Sequence, residues 1–129
     1  MKYTTVTPKL DRIDLTQTGI AMFLGPRSAD IMYLLWQEPA TIKNVWKQLR
    51  TSDTMYTTIA TTMNRLVVRG FLIRENIGSP RKATYHFVPT MTEAELIQFC
   101  IAFNIHCIQT SFNLTNSDLT NMLEAYLAT

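Results

Sequence analysis

The chain is short of several things, and each shortage removes a class of protein. Two cysteines, Cys100 and Cys107, occur in 129 residues. That is too few for a disulfide-stapled scaffold and fits a reducing compartment. No apolar run reaches the ~18 to 20 residues needed to span a bilayer. The first residues also lack the apolar centre of a signal peptide, so a soluble, cytoplasmic protein without membrane partners is expected. The glycines form no phosphate-cradling loop, and neither a nucleophile beside a base nor a metal-ligand motif occurs. No enzyme, cofactor or metal is therefore expected. Beyond Lys82 there is no lysine or arginine at all.

The last absence exposes how charge is divided along the chain. Residues 1–40 balance four basic side chains (Lys2, Lys9, Arg12, Arg27) against four acidic ones. Residues 41–90 carry eight basic side chains against Asp53 and Glu75 alone, a net of +6. Residues 91–129 hold four acids and no base, a net of −4. A basic middle beside an acidic, apolar end predicts two surfaces with different partners, a polyanion for the first and protein for the second.

The most informative stretch is DTMYTTIATTMNRLVVRG, Asp53 to Gly70. Ile59, Met63, Leu66 and Val67 recur at the spacing of one helical face, while Thr58, Thr62, Arg65 and Arg69 fall on a neighbouring one. That second face combines hydroxyls with guanidinium groups, and no carboxylate lies between Tyr56 and Arg74. It can approach a polyanion without like-charge repulsion and offer hydrogen bonds to base edges. The spacing predicts a recognition helix over 54–69.

Its surroundings agree. Pro26 suits a first helical position, and Ile31, Leu34, Leu35 and Trp36 form an apolar stripe, so a helix runs over 26–37 until Pro39 ends it. Thr41 is a natural N-cap for a second helix over 42–50, with Ile42, Val45, Trp46 and Leu49 inward and Lys43, Lys47 and Arg50 outward. Gly70 is the expected C-cap of the central helix. FLIRE (71–75) and TYHFV (84–88) then alternate as two strands joined by a loop that contains Arg81 and Lys82. Three helices followed by a basic hairpin predict a winged helix-turn-helix domain over 25–90. The fold class is mainly α with a small β-hairpin. Residues 1–24 read as an arm, partly ordered at best.

Residues 91–129 differ in kind. Thr92 with Glu95 forms a capping box opening a helix to about Thr110. Leu96, Ile97, Cys100, Ile101, Phe103, Ile105, Cys107 and Ile108 make this helix apolar over most of its circumference. Thr115 with Asp118 opens a last helix bearing Leu119, Met122, Leu123, Tyr126 and Leu127. So much apolar surface predicts burial between two subunits. Leu96, Ile97, Cys100, Ile101, Phe103, Ile108, Leu119, Leu123 and Tyr126 are the expected dimer contacts.

GPRSADIMYLLW, YTTIATTMNRLVVRGFLIRE and the hairpin closing with Tyr85 and Pro89 resemble the penicillinase-repressor family of winged-helix regulators, which includes the BlaI, MecI and CopY repressors. The similarity covers Leu24 to Glu95 well and LTNSDLTNMLEAYL more loosely. Its most specific part is Thr58, Thr61, Asn64, Arg65, Leu66, Gly70 and Leu72. The resemblance implies a homodimeric repressor on a palindromic operator, with Thr57, Thr58, Thr61 and Thr62 at or near the groove. Ala60 stands where the family often has lysine, and the four-cysteine cluster of CopY-type members has no counterpart here. The resemblance therefore does not imply copper sensing by that route. The expected DNA-facing set is Lys43, Tyr56, Thr57, Thr58, Thr61, Thr62 and Arg65, with Arg81 and Lys82 on the wing neutralising phosphate.

Cys100 and Cys107 are seven residues apart, a spacing that by itself does not define a four-thiol site across a two-fold axis, and apolar buried cysteines are the commoner case. His86 and His106 read as structural. The competing reading is a winged helix that binds protein rather than DNA. Such a module has no need of +6 on its helix-and-wing segment or of a hydroxyl-rich exposed face.

Overall fold

The order of elements is α1 (Ala21–Leu24), α2 (Pro26–Gln37), α3 (Ile42–Leu49), α4 (Tyr56–Val68), β1 (Leu72–Asn76), β2 (Tyr85–Pro89), α5 (Glu93–Phe112) and α6 (Asn116–Leu127). This computed structural model describes residues 8–10, 12–51 and 54–128. The chain divides into two units, residues 1–95 and 96–129.

In the first unit the helices are set by local chemistry. Pro26 occupies the first turn of α2, where its missing N–H costs nothing. Glu38, held extended before Pro39, closes that helix. The Thr41 side chain caps α3 by accepting from the Asn44 N–H. α4 ends in a Schellman motif: the Gly70 N–H donates to the Val67 carbonyl (3.0 Å) and the Phe71 N–H to the Leu66 carbonyl (2.9 Å). This closure needs a left-handed residue, and Gly70 supplies it with φ 90°.

The core is assembled from Ile31, Met32 and Leu35 of α2, Val45 of α3, Ile59, Met63 and Leu66 of α4, and Phe71, Leu72 and Phe87 around the hairpin, all essentially without solvent contact. Burial of each such side chain contributes about 2 kcal/mol, and together they hold α4 against the other elements. β1 and β2 pair antiparallel with Leu72 opposite Pro89 and Asn76 opposite Tyr85. The Phe87 N–H reaches the Ala40 carbonyl (2.8 Å), joining the α2–α3 connection to the hairpin through an isolated bridge that the sequence pattern does not announce. Buried Thr90 donates its hydroxyl to the Gly70 carbonyl (2.8 Å), so the end of the hairpin is tied to the end of α4.

Of the segment expected as an arm over 1–24, residues 1–7 and 11 lie outside the described residues. Ile20 and Leu24 are core residues, and α1 follows directly on Ile20. The Lys9 N–H donates to the Arg69 carbonyl (2.9 Å), while the Arg69 Nε donates to the Lys9 carbonyl (3.2 Å). Two apolar residues and a backbone pairing therefore fasten this segment, and the pairing of Lys9 with Arg69 follows no period in the sequence.

In α5 the capping box is formed, with the Thr92 N–H on a Glu95 oxygen (2.9 Å) and the Glu95 N–H on the Thr92 hydroxyl (3.1 Å). In the second unit, Asn113, in a left-handed conformation at φ 55°, makes the turn out of α5. A complete Thr115–Asp118 box starts α6. The Gln109 Nε2 donates to Asn116 Oδ1 across that turn (2.6 Å). Phe99 and Phe103 stack one turn apart, with ring centres separated by 6.0 Å.

Candidate nucleic-acid interface

The turn between α3 and α4 is fixed from both sides by Trp46. Its indole N–H donates to the Thr54 carbonyl (3.3 Å), its ring meets Tyr56 edge-on at 5.8 Å, and the Arg50 guanidinium lies 5.0 Å from its centre. Asp53, where the sequence pattern begins, lies outside the described residues. From this anchored start α4 turns Ile59, Met63 and Leu66 inward. Its outward side chains are Tyr56, Thr57, Thr61, Asn64, Arg65 and Val68.

The outward face is therefore rotated from the one the sequence suggests by about 100°, one residue of helix. Thr58 and Thr62 are half-buried on its flank, and the Thr62 hydroxyl donates back to the Thr58 carbonyl (2.9 Å). Arg69 leaves the set altogether. It sits at the C-cap, bonded to the Lys9 carbonyl, with its guanidinium 5.3 Å from the Phe71 ring. Its position beyond the last helical turn and a partner 60 residues away explain why helical spacing misassigns it.

The predicted residues fall into three groups. Thr57, Thr58, Thr61, Thr62 and Arg65 line one depression of about 360 Å³, and Arg27 from the start of α2 lines it with them. Lys43 and Tyr56 lie elsewhere, in a groove of about 340 Å³ between α3, α4 and the hairpin that also includes Asn64, Arg74 and Tyr85. Arg81 and Lys82 are exposed at the hairpin tip. Arg74 is a cation of the second group that sequence reading passed over; its guanidinium lies 5.2 Å from the Tyr85 ring centre. Strand alternation hides it, since Arg74 is two residues from buried Leu72 and yet is exposed.

The hairpin tip is shaped by Asn76, whose Oδ1 accepts from the Gly78 N–H (2.9 Å) and the Thr84 N–H (3.1 Å). The Lys82 N–H donates to the Ser79 hydroxyl (3.1 Å). A Cβ at residue 78 would collide with the Lys82 carbonyl, so the tight turn requires Gly78. This loop fixes the backbone beneath Arg81 and Lys82 while leaving their side chains in solvent. Lower on the hairpin, His86 and Glu75 face each other across the strands at 3.1 Å. Among the described residues no carboxylate forms an ion pair with Arg27, Lys43, Arg65, Arg81 or Lys82.

The expected dimer residues also separate. Leu96 and Cys100 are fully buried in the single chain. Ile97, Ile101, Phe103, Ile108, Leu123 and Tyr126 are exposed, Leu119 is half-buried, and Phe112, Met122 and Leu127 join the exposed set. Cys107 is exposed where Cys100 is not. Among the described residues no group of histidine, cysteine and carboxylate side chains could hold a metal ion. No helix among them is long and apolar enough to cross a membrane.

Three packed helices, an exposed polar helix face and a basic antiparallel hairpin define a winged helix-turn-helix of the DNA-binding class. The penicillinase repressor family model matches residues 24–125, and the chain belongs to that family of DNA-binding transcriptional regulators. No curated protein matches it. Among solved structures it is similar to the transcriptional regulator SlyA, with 15% identity, a TM-score of 0.44, and 79% of this chain and 70% of that one covered. It is also similar to the transcriptional regulator Tm0710 from Thermotoga maritima, with 23% identity, a TM-score of 0.43, and 80% and 70% covered.

Proposed function

We propose that the protein is a homodimeric repressor of a palindromic operator. Each protomer presents α4 to a major groove and its wing to the adjoining backbone, while α5 and α6 join the two copies. The observation that carries this reading is the outward side of α4. Thr57, Thr61 and Arg65 are exposed together, with no carboxylate between Tyr56 and Arg74 and no ion pair on Arg65 among the described residues. Short hydroxyls and a guanidinium suit base edges and flanking phosphates. The exposed cations of the wing tip supply sequence-independent affinity alongside them.

Dimerisation is supported by the apolar side chains that α5 and α6 leave in solvent, among them Ile101 at 49% and Tyr126 at 77% exposure. Contiguous apolar surface of that kind marks an interaction site, and a two-fold pair matches a palindromic site. Footprinting on the upstream region of its own gene tests the whole reading. Two symmetric half-sites are expected, together with reduced transcription from that fragment when the protein is added. No retarded complex at low salt would remove the DNA reading, and one asymmetric half-site would remove the palindrome.

A further inference from the structure

The depression beside α4 contains one residue that belongs to a different element. Arg27 lies at the second position of α2, 38 residues before Arg65 in the chain. Packing nevertheless makes both arginines line the same recess, together with Thr57, Thr58, Thr61 and Thr62. Both arginines are exposed, and neither has an ion-pair partner among the described residues. Two cations sharing a hydroxyl-lined recess without a carboxylate repel each other weakly in water and gain from any anion that enters between them. Guanidinium groups bind phosphate oxygens in a planar, two-pronged geometry, and threonine hydroxyls donate to the same oxygens.

We infer that Arg27 and Arg65 bracket a backbone phosphate of the bound duplex, with Thr57 and Thr61 completing the cradle. Arg27 is thus a positioning contact that seats α4 in its groove. This rests on the DNA-binding reading and adds to it a residue outside the helix-turn-helix pair and the wing. The contact is to backbone and not to a base, so its removal affects all sequences alike.

The experiment is fluorescence anisotropy over a salt series with the full chain. It uses two labelled duplexes of about thirty base pairs, one from the upstream region of its own gene and one of unrelated mixed sequence. Arg27→Ala is expected to weaken binding to both duplexes by roughly tenfold at 0.1 M salt. It should also make the slope of log affinity against log salt shallower by about one unit. Arg27→Lys is expected to recover most of the slope, since the charge remains. Ethylation interference should lose one protected phosphate per half-site in the Arg27→Ala complex and no base contact. A wild-type slope and footprint in Arg27→Ala would overturn the phosphate contact while leaving the DNA reading intact. A loss confined to the upstream duplex would overturn the backbone assignment in favour of base reading. Failure of the wild-type chain to bind either duplex would overturn both.

Discussion

Met63 and Ile101 are both apolar residues in the middle of long helices, yet Met63 is 0% exposed and Ile101 49%. The difference separates the two units of the molecule. Among the described residues up to 95, a core of apolar side chains such as Ile31, Met63 and Phe87 is closed within a single chain, and only scattered apolar residues such as Leu15 and Val68 stay exposed. In residues 96–128 many apolar side chains of α5 and α6 stay exposed, Phe112, Leu123, Tyr126 and Leu127 among them. A helix that is apolar on all sides is stable only when something covers it. The first unit closes its core within one copy, and under the proposed homodimer the cover of the second is a second copy of the chain.

The sharpest way to break this contrast is to place a charge on the open face. Ile101→Asp should leave the fold of the first unit intact but convert dimer to monomer in sedimentation. Operator affinity should fall by at least about a hundredfold, because a lone half-site loses the effective concentration that linkage provides. A dimer that survives this substitution would show that the interface lies elsewhere. Met63→Ala tests the closed side. Emptying a fully buried position should cost about 2–5 kcal/mol of unfolding free energy in denaturant titration. A loss of under about 1 kcal/mol would mean the core around α4 is looser than its burial indicates.

What the sequence made legible follows the same division. Features set within one turn of chain were readable: Thr41 as a cap, Gly70 as the left-handed closure of α4, and both threonine–carboxylate boxes. Strand starts were missed by one residue because neighbouring chemistry claims the first position. The Phe71 N–H completes the α4 cap, and the Thr84 N–H is taken by the Asn76 side chain. Features made by distant residues were not readable. Arg69 looked like part of the outward helix face until Lys9 engaged it, and Ala40 showed no strand period before pairing with Phe87. Arg27 was hidden because it belongs to a segment of balanced charge and becomes part of a cationic recess only through packing.

The wing offers a smaller test of the polar side of the contrast. Arg81→Ala with Lys82→Ala should leave thermal stability unchanged, because both side chains are exposed. The salt slope should become shallower by about one unit for each phosphate that is no longer neutralised. Gly78→Ala reaches the same tip by a different route. It leaves both charges in place but forces the loop away from the Lys82 carbonyl, so affinity should drop while net charge stays constant. An unchanged slope in the double variant would show that the wing does not touch the backbone.

The smallest effect concerns how the two apolar helices are started. Backbone and side-chain hydrogen bonds from Thr115 pull the Asp118 carboxyl below its ordinary 3.8, and those from Thr92 pull Glu95 below its ordinary 4.5. Both groups bind their proton more weakly in the folded state than in the unfolded one. Their stabilising contribution is therefore present above those ordinary values and is lost as pH falls through the lowered ones. Acidification should accordingly loosen the first turns of α5 and α6 before it affects α4, whose inward residues are all apolar. Amide resonances of Thr92 and Thr115 are the direct readout. Their shifts should titrate with midpoints below 4.5 and 3.8 respectively, and Asp118→Asn should abolish the Thr115 transition without changing hydrogen exchange at Ile59 or Met63. Midpoints at the ordinary carboxylate values would mean that the boxes do not hold in solution, and that the open unit lacks even its local caps.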